Sequence, residues 1–152
     1  MSGIPKDSIA GTHFGWSEAL HNSWYTKVPL LMRRAVIRHA RNLERLRTRI
    51  NAERKAHGLP PTGITILSWI RSPAKNRSVG GASKSRHMSG DATDIAREEV
   101  NRLCPWPNGR RDFDRIANQV FAKGGFGTYP GGNRHVDSRG FFARWTSWTP
   151  GR

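Results

Sequence analysis

Residues 85–95 read Ser85-Arg86-His87-Met88-Ser89-Gly90-Asp91-Ala92-Thr93-Asp94-Ile95. His87 stands before a glycine, and Asp94 enters a short run, about 92–96, that predicts a strand. Alternation puts Asp94 on one face with the small residues Ala92 and Ala96. A carboxylate turned inward from an apolar strand is costly unless it is paired or holds a metal. Small neighbours leave room there for an ion and a substrate. Downstream, His135-Val136-Asp137 alternates, so His135 and Asp137 share a face while Val136 takes the core. The glycine-rich segment 124–132 delivers that strand. Two histidines and one aspartate from separate elements, with a fourth position open, form the donor set of a catalytic-type zinc site.

Around this constellation the chain predicts an α+β domain with strands interspersed among helices and no βαβ rhythm. Residues 63–71 are rich in β-branched residues and predict a buried strand ending at Arg71. Residues 72–90, full of Ser, Gly, Asn and Lys, predict a long loop. The clearest helix spans about Pro29 to His57, with Pro29 at its start and Gly58 and Pro60 at its stop. Met32, Val36, Ala40, Leu43, Leu46 and Ile50 recur on one face of it. Arginines 33, 34, 38, 41, 45, 49 and 54 occupy much of the rest, as a solvated face or an anchor for an acidic surface. A second helix is expected from an Asp112 cap to Lys123, then one or two strands between about Arg134 and Trp148. A helical turn is expected near Ser17 and Glu18, and residues 1–12 read as a flexible arm ahead of a domain over 13–152. His13, His21, His39 and His57 read as structural or surface residues.

At 152 residues the chain suits one domain. Lys and Arg number 26 against 11 acidic residues, a net charge of +15 that calls for anionic surroundings, either nucleic acid or an acidic bacterial envelope. The lone Cys104 excludes an internal disulfide. No apolar run approaches the roughly 20 residues of a membrane helix. The start, MSGIPKDSIAGTHFGW, lacks the layout of a secretory signal.

Ser85, His87, Gly90, Ala92 and Asp94 form Ser-x-His-x-x-Gly-x-Ala-x-Asp. This pattern resembles the hallmark of the zinc D-Ala-D-Ala carboxypeptidase family, which shares its fold with Hedgehog signalling domains and includes many phage endolysins. Arg71-Ser72-Pro73 with Asn76 and Val79-Gly80-Gly81 is similar to the family's arginine loop. Gly125 to Pro130 and His135-Val136-Asp137 are similar to its closing segment, and Phe14 to Leu20 to its opening helix. The resemblance spans about residues 13–146. It implies one Hedgehog/DD-peptidase-like domain, a small antiparallel sheet flanked by helices, with His87, Asp94 and His135 as zinc ligands. It implies further that Arg71 steadies a substrate carboxylate or an oxyanion, and that Ser85 supports the substrate or the ligand surroundings. One departure stands out: where well-known members carry a general-base acid three residues before the last ligand histidine, this chain has Gly132. Asp137 is then the candidate for acid/base work or for orienting His135, at a separation expected to need a bridging water.

The expectation is a zinc peptidase cutting peptidoglycan stem peptides, as a D,D-carboxypeptidase or an endopeptidase, in a phage lysis enzyme or a virion-borne wall hydrolase. Such a protein would sit in the host cytoplasm before lysis or on the virion and act at the wall, with anionic wall polymers or virion proteins as further partners. The alternative is an inactive zinc-binding domain with a structural or wall-binding role. A nucleic-acid binder using the arginine face and tryptophans leaves the ordered His/Asp pattern unexplained.

Overall fold

The apolar stripe of residues 36–50 organises the molecule. The computed structural model describes residues 3–146. Its elements are α1 (Trp16–Leu20), α2 (Arg33–Ala56), α3 (Pro73–Ser78), β1 (Ala92–Ile95), α4 (Arg97–Leu103), α5 (Gly109–Val120), β2 (Gly125–Thr128), β3 (Arg134–Asp137) and β4 (Ala143–Thr146). Pro29 caps a 3-10 turn, Leu30–Met32, that runs straight into α2. Val36, Ala40, Leu43, Leu46 and Ile50 of α2 are buried in one core with Phe113, Ile116, Ala117 and Val120 of α5. Each large apolar side chain so buried contributes about 1.5–3 kcal/mol.

Against these helices lies a four-stranded sheet in the order β1-β3-β2-β4. β3 pairs antiparallel with β1 and β2, whereas β4 runs parallel to β2. The sheet is therefore mixed, not wholly antiparallel as expected. The reason is that the connection after β3, through Gly140, returns the chain to the far edge beside β2. Residues 147 and 148, the end of the expected last strand, lie outside the described residues. One transverse row reads Asp94, His135, Gly127, Trp145, and the next reads Thr93, Val136, Phe126, Arg144. Because neighbouring rows face opposite ways, Val136 and Phe126 enter the core while Asp94 and His135 meet on the other face.

Several expectations change once the chain is folded. Residues 63–71 pair with β1 only around Leu67 and Ser68, so no strand forms. Their other amides go elsewhere: Thr65 to the Glu99 carboxylate, Ile70 to the Ala19 carbonyl and Arg71 to the His87 carbonyl. Residues 72–90 are not one loop. Ser72 accepts from the Lys75 amide and Pro73 opens α3, after which a 3-10 turn covers Arg86–Ser89. Helix α5 begins three residues ahead of the expected Asp112 cap, at Gly109. Residues 3–12 are not a loose arm, since Ile9 is fully buried in the core and Ser8 bridges Gly15. Arg54 leaves the basic face and turns inward, donating to the carbonyls of Pro60, Arg102 and Leu103.

His39 of α2 is also interior. Its ring nitrogens lie 2.7 Å from the Ser138 hydroxyl and 3.0 Å from the Thr93 hydroxyl. Burial lowers its pKa from 6.5 to about 3. The unfolded chain thus takes a proton as pH falls below 6.5, and the folded chain does not until about 3. A depressed histidine pKa makes stability fall with pH across that window, by about 2 kcal/mol between pH 7 and pH 5. Urea denaturation at the two values, compared with His39→Gln, checks this; an equal loss in both proteins would remove the assignment.

Candidate metal centre

His87 reaches the site on the 3-10 turn before β1. The Ser85 hydroxyl accepts from the His87 amide at 3.3 Å, and Gly90 closes the turn at φ +83°, a left-handed conformation that side chains disfavour. The Gly90 carbonyl accepts from the Trp69 indole at 2.9 Å, and Val36 packs where a Gly90 side chain would stand. Ser85 therefore shapes the turn carrying His87. Asp94 and His135 are direct partners across the β1–β3 ladder.

The two imidazoles are held in complementary tautomers. His87 Nδ1 lies 2.6 Å from the Trp69 carbonyl, which can only accept, so Nδ1 carries the proton. His87 Nε2 is left buried with no hydrogen-bond partner, 3.2 Å from Asp94 Oδ1 but off hydrogen-bonding geometry. His135 Nε2 donates to Asp137 Oδ2 at 2.8 Å, which turns Nδ1 toward the same Asp94 oxygen at 3.2 Å. A lone pair facing a carboxylate oxygen in a buried site is repulsive unless a cation lies between them. Donor atoms on a tetrahedral ion with zinc-like bonds of about 2.0–2.1 Å stand about 3.3 Å apart, and both separations match. His87, Asp94 and His135 thus fit a metal ion, and their ligand atoms all lie within 4.8 Å of one another.

The surroundings are charged to suit. Asp94 is split between two tasks: Oδ1 faces the imidazoles, and Oδ2 accepts from Arg71 Nη2 at 3.2 Å. Burial would raise its pKa, but His87 and His135 outweigh that and hold the carboxyl far below the usual range. Burial would likewise lower His135, yet its bonds to Asp137 and Asp94 raise it. Arg71 is itself buried, with Nη1 toward the Asn76 side chain at 3.5 Å. Its guanidinium holds Asp94 in place, a task the sequence did not reveal.

Asp137 contacts His135 directly, so the expected bridging water is not needed. It accepts from His135 Nε2, the Gly125 amide, the Arg139 amide and two nitrogens of the Arg139 guanidinium. Burial raises its pKa, but the bonds from His135 and Arg139 override this and keep it ionised. Asp137 therefore meets His135 on the side of the imidazole away from Asp94, with its carboxylate oxygens engaged by these donors, the arrangement of a residue that orients the ring. Gly132 explains why no acid stands at the usual position. It closes the Tyr129–Gly132 turn at φ +93°, and its Cβ position abuts the Arg97 side chain.

Three neighbours were not visible as site residues in the sequence. Gly127 has no side chain in the row between His135 and Trp145, so the indole lies over it, 4.9 Å from the His135 ring. Trp69 supplies the carbonyl that sets the His87 tautomer. Tyr129, at the end of β2, brings its hydroxyl to 3.4 Å from Asp94 Oδ1 and 3.5 Å from His135 Nδ1. No spacing rule in the Gly-Phe-Gly-Thr-Tyr-Pro stretch ties that hydroxyl to Asp94; only the sheet register does. Among the described residues no helix is long and apolar enough to cross a membrane.

No curated protein sequence matches the chain significantly. The family model of Peptidase M15 matches residues 27–136, a span that contains His87, Asp94, His135 and the arginine loop. Well over half of the chain is covered, and it belongs to the M15 peptidases, the zinc D-Ala-D-Ala carboxypeptidase-like family of hydrolases.

Proposed function

We propose that this chain is a zinc-dependent peptidase that hydrolyses peptide bonds in peptidoglycan stem peptides, as a D,D-carboxypeptidase or an endopeptidase. The observation that carries the reading is the convergence of His87 Nε2 and His135 Nδ1 on one oxygen of Asp94, each with its other nitrogen committed elsewhere. Zinc at that point would lower the pKa of a water molecule and polarise the scissile carbonyl. The protein's own part is positional. Trp69 and Asp137 hold the imidazoles, Arg71 keeps Asp94 monodentate, and Ser85 shapes the turn that presents His87. The Arg71 guanidinium lies beside the ligands, and the donors it does not use on Asp94 and Asn76 suit a substrate carboxylate or a developing oxyanion.

The setting we infer is phage lysis or a virion-borne wall hydrolase. The net charge of +15, with Arg33, Arg34, Arg38, Arg41, Arg45 and Arg49 exposed along α2, supports attraction to anionic wall polymers. A second reading, a zinc-binding domain without activity, is favoured by one observation: Gly132 replaces the acid and Asp137 is fully engaged.

Purified peptidoglycan incubated with the protein, then with chelator, then with zinc restored, separates the two. Zinc-dependent release of stem-peptide fragments is expected, and the new chain ends name the bond. A protein that binds one zinc yet releases nothing from several wall types is the inactive domain.

A further inference from the structure

The hydroxyl of Tyr129 lies 3.4 Å from Asp94 Oδ1 and 3.5 Å from His135 Nδ1. Both separations are long for hydrogen bonds, since a hydroxyl bonded to oxygen stands about 2.7–2.8 Å away. They match instead the edge between two donors on one tetrahedral ion, about 3.3 Å for zinc-like bond lengths. The edges from Asp94 Oδ1 to His87 Nε2 and to His135 Nδ1 are 3.2 Å each. The Tyr129 oxygen therefore stands off Asp94 and His135 by nearly the spacing that the proposed ligands keep from Asp94.

The backbone holds Tyr129 in this position. Its amide donates to the Asn133 carbonyl at 2.9 Å, its carbonyl accepts from Gly132 at 2.9 Å, and its ring meets His135 edge-on at 6.4 Å. The turn from β2 to β3 therefore fixes the Cα. We infer that the Tyr129 oxygen is the fourth metal donor of the resting protein and leaves that position when substrate or water takes it. The inference rests on the metal reading of His87, Asp94 and His135. A dication held there would acidify the phenol it contacts, and the phenol proton would pass to solvent.

The test replaces the resident metal with Cu2+ in full-length wild-type protein and in Tyr129→Phe, with His135→Ala as the metal-site control. Expected are one Cu2+ per wild-type chain with a phenolate-to-copper charge-transfer absorption, and a Tyr129→Phe protein that binds Cu2+ without that band. Zinc competition against a chromogenic chelator should show Tyr129→Phe weakened by about 10- to 100-fold, the range typical of groups supporting a metal site. A wild-type Cu2+ protein with no such band, together with unchanged zinc affinity in Tyr129→Phe, overturns the inference while leaving the His/Asp site intact. No stoichiometric metal on wild-type protein, or undiminished binding by His135→Ala, overturns the site as well. The wild-type spectrum decides the matter even if the Phe variant fails to fold.

Discussion

Asp94→Asn is expected to lose zinc and peptidase activity together, with zinc affinity falling by at least about 1,000-fold. Zinc bound by a full ligand set is worth roughly 10–16 kcal/mol. Removing one anionic donor of three forfeits about 4 kcal/mol of that, or about 1,000-fold in Kd. The same change leaves the buried Arg71 guanidinium without its carboxylate. An orphaned buried charge costs roughly 3–5 kcal/mol, so the metal-free variant should also melt earlier. His87→Ala separates the two effects, because it removes a donor and leaves the Arg71–Asp94 pair intact. Titration calorimetry with zinc, beside thermal melts of the metal-free proteins, should find both variants metal-deficient and only Asp94→Asn strongly destabilised. Either variant retaining tight zinc and full wall hydrolysis would remove the proposed centre.

Asp137→Asn should act on stability and metal affinity, not on turnover alone. The carboxylate is fully buried and answers His135, the Gly125 amide and the Arg139 backbone and guanidinium. An amide of the same shape removes the charge and turns a donor toward donors. Breaking such an interior pair costs roughly 3–5 kcal/mol. With His135 no longer held in its tautomer, zinc affinity should fall by about 10- to 100-fold. Thermal melts and chelator competition measure both quantities. Wild-type stability and affinity with abolished turnover would return Asp137 to the role of proton acceptor. Replacement by Glu is a poorer test, because Gly125 gives way to the carboxylate with no room for a longer side chain: a Gly125 Cβ would stand 2.2 Å from Asp137 Oδ2.

The helical part of the fold was legible because it is written in local periodicity. The stripe from Val36 to Ile50 is a consequence of a 3.6-residue repeat and survives folding, whereas the expected start at Pro29 becomes a 3-10 turn and the α-helix begins at Arg33. The short elements were not legible. A strand of four residues has too little pattern of its own, so residues 63–71, as β-branched as β1, fail to pair where their amides find nearer acceptors. Ser72-Pro73 did carry a helix-start signal, but the polar composition of 72–90 obscured it. Ile9 belongs to no apolar periodicity, and only the contact with the core reveals its burial.

For the candidate centre, the sequence alone named the three residues that converge there. His87 and Asp94 with Gly90 between them, and His135 on an alternating strand, are chemically distinctive residues in a set order, and residue identity is what a metal selects. Tertiary structure decided everything that depends on direction. The β1–β3 register sets Asp94 opposite His135, the Trp69 carbonyl chooses the His87 tautomer, and Arg71 is drawn onto Asp94. Alternation along β3 lays Asp137 against the His135 ring, and the β2–β3 turn brings Tyr129 to the donor atoms. The physical reason is that lone pairs and hydrogen-bond partners are fixed by distances of a few tenths of an ångström between segments far apart in the chain, and no local pattern encodes those distances.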